Sequence, residues 1–210
     1  MKKLAAALLF IMVVFNSQSQ EKNYLKFGLD VQDHQVPKGL KKGTKAPNFS
    51  AVDQYGNKLN LEQILNEKPV VMFFYRGYWC PYCNQYLKKY ADSLSLVEKK
   101  GARIIAVTPE TSEKIDKTMD KTGVSFSILS DRNDEIMKKY KVEFHVTEEY
   151  QNKIQKGLNA NIKQTNKQED AMLPVPATYI IGQNGKIVAR QFDVDYSNRA
   201  SVQWILENLP

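Results

Sequence analysis

The stretch Tyr75-Arg76-Gly77-Tyr78-Trp79-Cys80-Pro81-Tyr82-Cys83 constrains this chain more than any other. It holds the only two cysteines of the 210 residues, and it follows directly on the apolar run Pro69–Phe74. A short apolar run closed by glycine reads as a buried β-strand. The amphipathic stretch from Asn84 to about Lys99 reads as a helix, so the cysteines fall where a strand hands over to a helix. Cys80 then lies at the helix start and Cys83 one turn in, within bonding reach of each other. Free N–H groups and the positive end of the helix dipole favour a thiolate at Cys80. Pro81 takes the first helical position, where a missing N–H costs nothing. The pattern points to thiol-redox chemistry.

Other uses of a cysteine pair fit less well. A structural zinc site needs four ligands, and the chain adds only His34 and His145, both remote in sequence. A static disulfide over so short a loop would constrain the unfolded chain little. Inert core thiols belong in the middle of a sheet rather than at its end. Neither histidine can be paired with a cysteine from sequence alone, and both read as solvated. No cofactor is expected.

Around this junction the chain reads as one α/β domain. Met1-Lys2-Lys3, the apolar run Leu4–Phe15 and polar Asn16–Gln20 resemble a secretory leader, with cleavage near Ser19 or Gln20. The run's 12 residues fall short of the roughly 20 that span a membrane. An exported protein, periplasmic or secreted, with no membrane insertion after cleavage is therefore expected. Residues 21–42 read as an arm, and 43–210 as the folded domain. A hairpin is expected around Pro47–Val52, then a short helix from Leu61 capped by Asn60. Arg103–Val107 and Val124–Leu129 read as strands, with helices at Thr111–Lys121 and Asp131–Tyr140. Glu143–Met172 reads as an insertion carrying one helix, Glu148–Leu158, and a polar loop. The hairpin Ala177–Ile181 and Ile187–Phe192 and the helix Ala200–Leu209 close the chain. The formal charge of +7, or +5 without Lys2 and Lys3, is spread over pairs such as Lys88-Lys89 and Lys138-Lys139. With no basic stripe or interleaved aromatics, no nucleic-acid partner is expected.

A strand, a Trp-Cys-x-x-Cys helix start, a βα unit, a proline before a hairpin and a final helix together resemble the thioredoxin fold. Within it the chain is similar to the AhpC/TSA peroxiredoxin-like family, in its atypical branch. The residues that carry the likeness are Tyr75–Cys83, Leu173-Pro174-Val175-Pro176-Ala177-Thr178 and Asp193-Val194-Asp195-Tyr196. The resemblance spans roughly Gly43–Leu206. It implies a central mixed sheet flanked by helices, and it implies that Pro176 is a cis-proline facing the cysteine pair. It also implies a hydroperoxide substrate and a thioredoxin-like electron donor. The typical family loop, Pro-x-x-x-Thr/Ser-x-x-Cys, is altered here: Phe73 and Gly77 stand at the proline and hydroxyl positions. The family's arginine before the last hairpin aligns with Pro176.

Two reactions follow. In the first, Cys80 attacks a hydroperoxide and becomes a sulfenic acid, which Cys83 resolves to a disulfide. In the second, Cys80 attacks a protein disulfide and Cys83 releases the mixed disulfide. A passive sensor is a third use of the pair. Arg76, four residues before Cys80, is the candidate cation for peroxide, with a surface or sheet-end ion pair as its plainer role. Trp79 is the candidate apolar platform for substrate, Tyr75 a packing residue.

Overall fold

The computed structural model describes residues 24–31 and 35–210. The expected leader and His34 lie outside these residues. A two-stranded hairpin, β1 (Ser50–Val52) and β2 (Lys58–Asn60), precedes α1 (Leu61–Glu67), whose N-terminus is capped by the Asn60 side chain accepting from the Gln63 N–H. Then come β3 (Val70–Phe74), α2 (Pro81–Asp92), α3 (Leu94–Lys99), β4 (Arg103–Thr108), α4 (Ser112–Thr122), β5 (Ser127–Ser130) and α5 (Glu135–Lys139). β6 (Glu143–His145), α6 (Glu148–Leu158), α7 (Ile162–Asn166) and β7 (Met172–Pro174) follow, and β8 (Ala177–Ile181), β9 (Ile187–Phe192) and α8 (Val202–Asn208) complete the chain.

Five strands form the central sheet in the order β5-β4-β3-β8-β9, with β3, β4 and β5 parallel and β8 and β9 antiparallel to their neighbours. Each face has its own core. Val71, Phe73 and Tyr75 pack with Leu87 and Tyr90 of α2, Ile115 of α4 and Ile205 of α8. Val70, Met72 and Phe74 pack on the opposite side with Leu61 and Leu65 of α1 and Ile136 and Met137 of α5. Strand side chains alternate between faces, so a strand covered on both sides must be apolar throughout. That is why Val70–Phe74 is an unbroken apolar run, every residue of it buried. The expected α/β, thioredoxin-like architecture is the one present.

Three local expectations need correction. The helix foreseen over Asn84–Lys99 is two, α2 and α3, separated at Ser93 (φ −110°, ψ 7°). Asp92 and Ser93 are weak helix formers, and restarting the helix turns Val97 into the core. The insertion holds two helices rather than one, because Asn161 caps α7 by accepting from the Gln164 N–H. Its ends are clasped by β6 and β7, with Phe144 opposite Leu173. The third correction is Pro176, whose peptide bond is trans, as are all others among the described residues. Trans is the ordinary state, favoured by roughly 0.5–1 kcal/mol before proline. Pro176 is nonetheless buried. Phe73 lies opposite Thr178, so Pro176 enters β8 at the sheet end from which the Tyr75–Cys83 loop departs.

Candidate active site

The site grows from the C-terminal end of β3. Tyr75 N–H still bonds to the Val107 carbonyl, and the chain then turns through Gly77 to Cys80, whose N–H donates to the Gly77 carbonyl. Gly77 has little room: a Cβ there would lie 2.6 Å from Trp79 Nε1 and closer still to Glu110 Oε1. Cys80 is the N-cap of α2, its sulfur accepting from the Cys83 N–H at 3.2 Å, and Pro81 follows at the first helical position. Cys80 and Cys83 are joined as a disulfide, their Cα atoms 5.2 Å apart. Both cysteines are buried, at 0% and 1% exposure.

A guanidinium faces each sulfur. Arg76 Nη2 is 3.1 Å from Cys80 Sγ, and its Nη1 donates to the Tyr150 hydroxyl at 2.6 Å. The same guanidinium lies 3.5 Å from the centre of the Tyr196 ring and 5.2 Å from that of Trp79. Arg199 approaches from the other side, with Nη2 3.2 Å from Cys83 Sγ. Its Nη1 donates to the Phe74 carbonyl and its Nε to that of Tyr196, each at 3.2 Å. Burial, reinforced by repulsion from Arg76 and opposed by Tyr90, draws Arg199 down to about 10, so it stays charged at neutral pH. Neither arginine is ion-paired with a carboxylate among the described residues.

The loop that brings Arg199 is wired to itself and to α2. Asp193 accepts from the Asp195 N–H and from Asn198 Nδ2, and Asp195 accepts from the N–H and hydroxyl of Ser197. The Tyr90 hydroxyl donates to the Ala200 carbonyl at 2.7 Å. Behind the Gly77 turn, Glu110 is fully buried and accepts from the Tyr78 N–H at 2.9 Å. Burial pushes its carboxyl well above the usual range, toward the neutral form.

Cys80, Cys83, Arg76 and Trp79 thus meet in one place, with Pro176 entering at the same sheet end. Arg76 is buried, not a surface ion pair. Trp79 is only 4% exposed and packs in the core; the exposed aromatic beside the pair is Tyr82, 46% accessible and 5.5 Å from the Tyr196 ring. His145 is half-buried on β6, its carbonyl accepting from the Asp30 N–H. Among the described residues no cluster of histidine, cysteine or carboxylate side chains suits a metal ion. Sequence reading missed Arg199, Tyr150 and Glu110. For Arg199 a signal was at hand, because the Asp193–Tyr196 segment ends three residues before it. Tyr150 and Glu110 carry no local signal.

A disulfide-forming pair at a strand-to-helix junction of this sheet agrees with the match of residues 42–190 to the AhpC/TSA family. The chain belongs to the AhpC/TSA family. A Mycobacterium tuberculosis protein provisionally named a peroxiredoxin is 24% identical over 155 residues, covering 74% of this chain and 87% of the relative. Among solved structures, the peroxidoxin BcpB of Mycobacterium tuberculosis aligns with a TM-score of 0.58 and 18% identity, over 75% of this chain and 91% of that one. The thioredoxin domain of a thiol-disulfide oxidoreductase from Bacteroides vulgatus aligns at 0.52 and 17%, over 75% and 93%. The AhpC/TSA chain described here is an oxidoreductase, and its fold is thioredoxin-like.

Proposed function

We propose that the protein is an exported thiol peroxidase. The observation that carries this reading is Arg76 Nη2, 3.1 Å from Cys80 Sγ in a buried setting. A fixed guanidinium there offsets the lost Pro-x-x-x-Thr/Ser arrangement in two ways. It favours the Cys80 thiolate, and it presents donors to the peroxide oxygen on which charge develops. The Cys83 N–H adds a second donor to the sulfur. In the first step the thiolate attacks one peroxide oxygen, the O–O bond breaks, and the leaving oxygen takes a proton to become an alcohol or water. Cys80 is left as a sulfenic acid. Cys83 then attacks that sulfur, water departs, and the disulfide forms. A thioredoxin-like dithiol donor returns two electrons.

The Arg76 donor at Cys80 Sγ suits an oxygen leaving group, which gathers negative charge as the O–O bond breaks. The name of the mycobacterial relative points the same way, and the leader-like Met1–Gln20 supports export. A second reading, thiol–disulfide exchange with exported proteins, draws on the vicinal pair itself and on Pro176 at the same sheet end. The discriminating experiment uses reduced, leaderless Cys83→Ser protein and follows loss of the Cys80 thiol to hydrogen peroxide. The expected rate lies far above that of a free thiol of equal pKa, and Arg76→Met lowers it roughly 100-fold, as loss of one charge-stabilising donor does. A rate equal to the free thiol's would transfer the assignment to disulfide exchange.

A further inference from the structure

A peroxidase needs only one activated sulfur, yet Cys83 also meets a buried cation. Arg199 is not a surface side chain that happens to lie near. Two carbonyls, Phe74 and Tyr196, hold its guanidinium while the third position of the fork reaches Cys83 Sγ. The ionisable groups around the pair are Arg76 on its own loop, Tyr86 and Tyr90 on α2, Tyr150 on α6, and Tyr196 beside Arg199. Burial raises Tyr90 and Tyr150 to about 12, so neither brings a negative charge at neutral pH. The nearest buried carboxyl, Glu110 behind Gly77, favours its neutral form. The oxidised protein therefore buries two guanidiniums against a neutral disulfide. Uncompensated buried charge is costly, and each guanidinium also disfavours its neighbour. Reduction is the event that supplies the missing anions.

We propose that Arg199 holds Cys83 as a thiolate in the reduced protein, so that the Cys80–Cys83 disulfide is a strong oxidant drawn toward reduction by the two buried guanidiniums. This rests on the thiol-redox reading and specifies its direction: electrons flow readily into the disulfide. A dithiol donor attacks and breaks the Cys80–Cys83 bond, and its own two sulfurs end joined. Two electrons pass to the protein, its sulfurs become thiolates, and the donor's two thiol protons go to solvent. A disulfide whose reduced form is stabilised in this way has a raised reduction potential.

The test isolates Cys83. In Cys80→Ser protein, thiolate absorbance at 240 nm is titrated against pH, with folding checked by near-ultraviolet circular dichroism. Cys83 is expected to ionise at least one pH unit below the roughly 8.5 of an ordinary thiol. Arg199→Met in the same background should return it to that value or above. Arg199→Lys, which keeps the charge but loses the fork, should fall between. In the otherwise unaltered protein, Arg199→Met should also lower the equilibrium constant for reduction by glutathione at least tenfold, about 30 mV for a two-electron couple. The proposal is overturned if Cys83 ionises at or above 8.5 with Arg199 in place, or if the glutathione equilibrium ignores Arg199→Met. Should Arg199→Met fail to fold, the Cys80→Ser titration and the lysine variant decide. Peroxide consumption by Cys83→Ser is measured separately, so failure of the peroxidase reading would leave this result standing, and the converse holds.

Discussion

Cys80 and Cys83 each accept from a buried guanidinium, but Arg76 reaches Cys80 from four residues upstream whereas Arg199 reaches Cys83 across 116 residues. The first arrangement is built mainly by one loop, tightened by the close approach of Gly77 to Glu110 and steadied from outside by Tyr150 of α6 and by the Tyr196 ring. The second exists only when the 193–200 loop is docked against α2 and the end of β3. Two halves of one disulfide therefore have different vulnerabilities: the donor at Cys80 comes from its own loop and is steadied by Tyr196, whereas the donor at Cys83 comes wholly from a segment far from it.

Substitutions can separate the halves. The largest effect is expected from Gly77→Ala, whose Cβ has no space beside Trp79 and Glu110. It should destabilise the protein by about 1–3 kcal/mol, as overpacking does, and slow peroxide attack at Cys80 while leaving the Cys83 titration in place. Denaturant unfolding with the two thiol assays checks this; equal damage to both sulfurs would show that the halves are not separable. Next comes Asp193→Ala, which removes the acceptor of the Asp195 N–H and Asn198 Nδ2 without touching either arginine. A loss of about 1 kcal/mol, or roughly 2–4 °C in Tm for a chain of this size, is expected. Amide exchange should quicken in residues 193–200, and Cys83, which takes its donor from that loop, should change in reactivity more than Cys80, which meets it only through the Tyr196 ring on Arg76. The smallest effect on the thiol chemistry should come from Tyr150→Phe. It removes one charge-assisted hydrogen bond from Arg76, worth about 1.5–3 kcal/mol of stability, while the Tyr196 stacking and the Cys80 contact remain. A few-fold fall in the Cys80 rate with no change in the glutathione equilibrium would place Tyr150 on the Cys80 side alone.

The same division runs through the rest of the molecule. β3, the β8–β9 hairpin and the Asn60 cap were legible because each rests on neighbours in sequence: an apolar run, a Gly-Gln-Asn-Gly turn, an acceptor three residues before its donor. The break at Ser93 was not, because the chain there obeys the demand that Val97 face the core. Nor was the β6–β7 clasp, in which Phe144 meets Leu173 across the whole insertion.

By itself the sequence determined the strand, the helix start and the cysteine pair, since dihedral preference, side-chain alternation and capping act over a few residues. It placed Arg76 near Cys80 for the same reason. Only the tertiary structure decided that Arg76 is buried, that Pro176 is trans, and that Arg199, Tyr150 and Glu110 surround the site. Those facts depend on packing between segments remote in the chain, where the low dielectric of a shared interior, rather than any local pattern, sets which charges meet and what they can do.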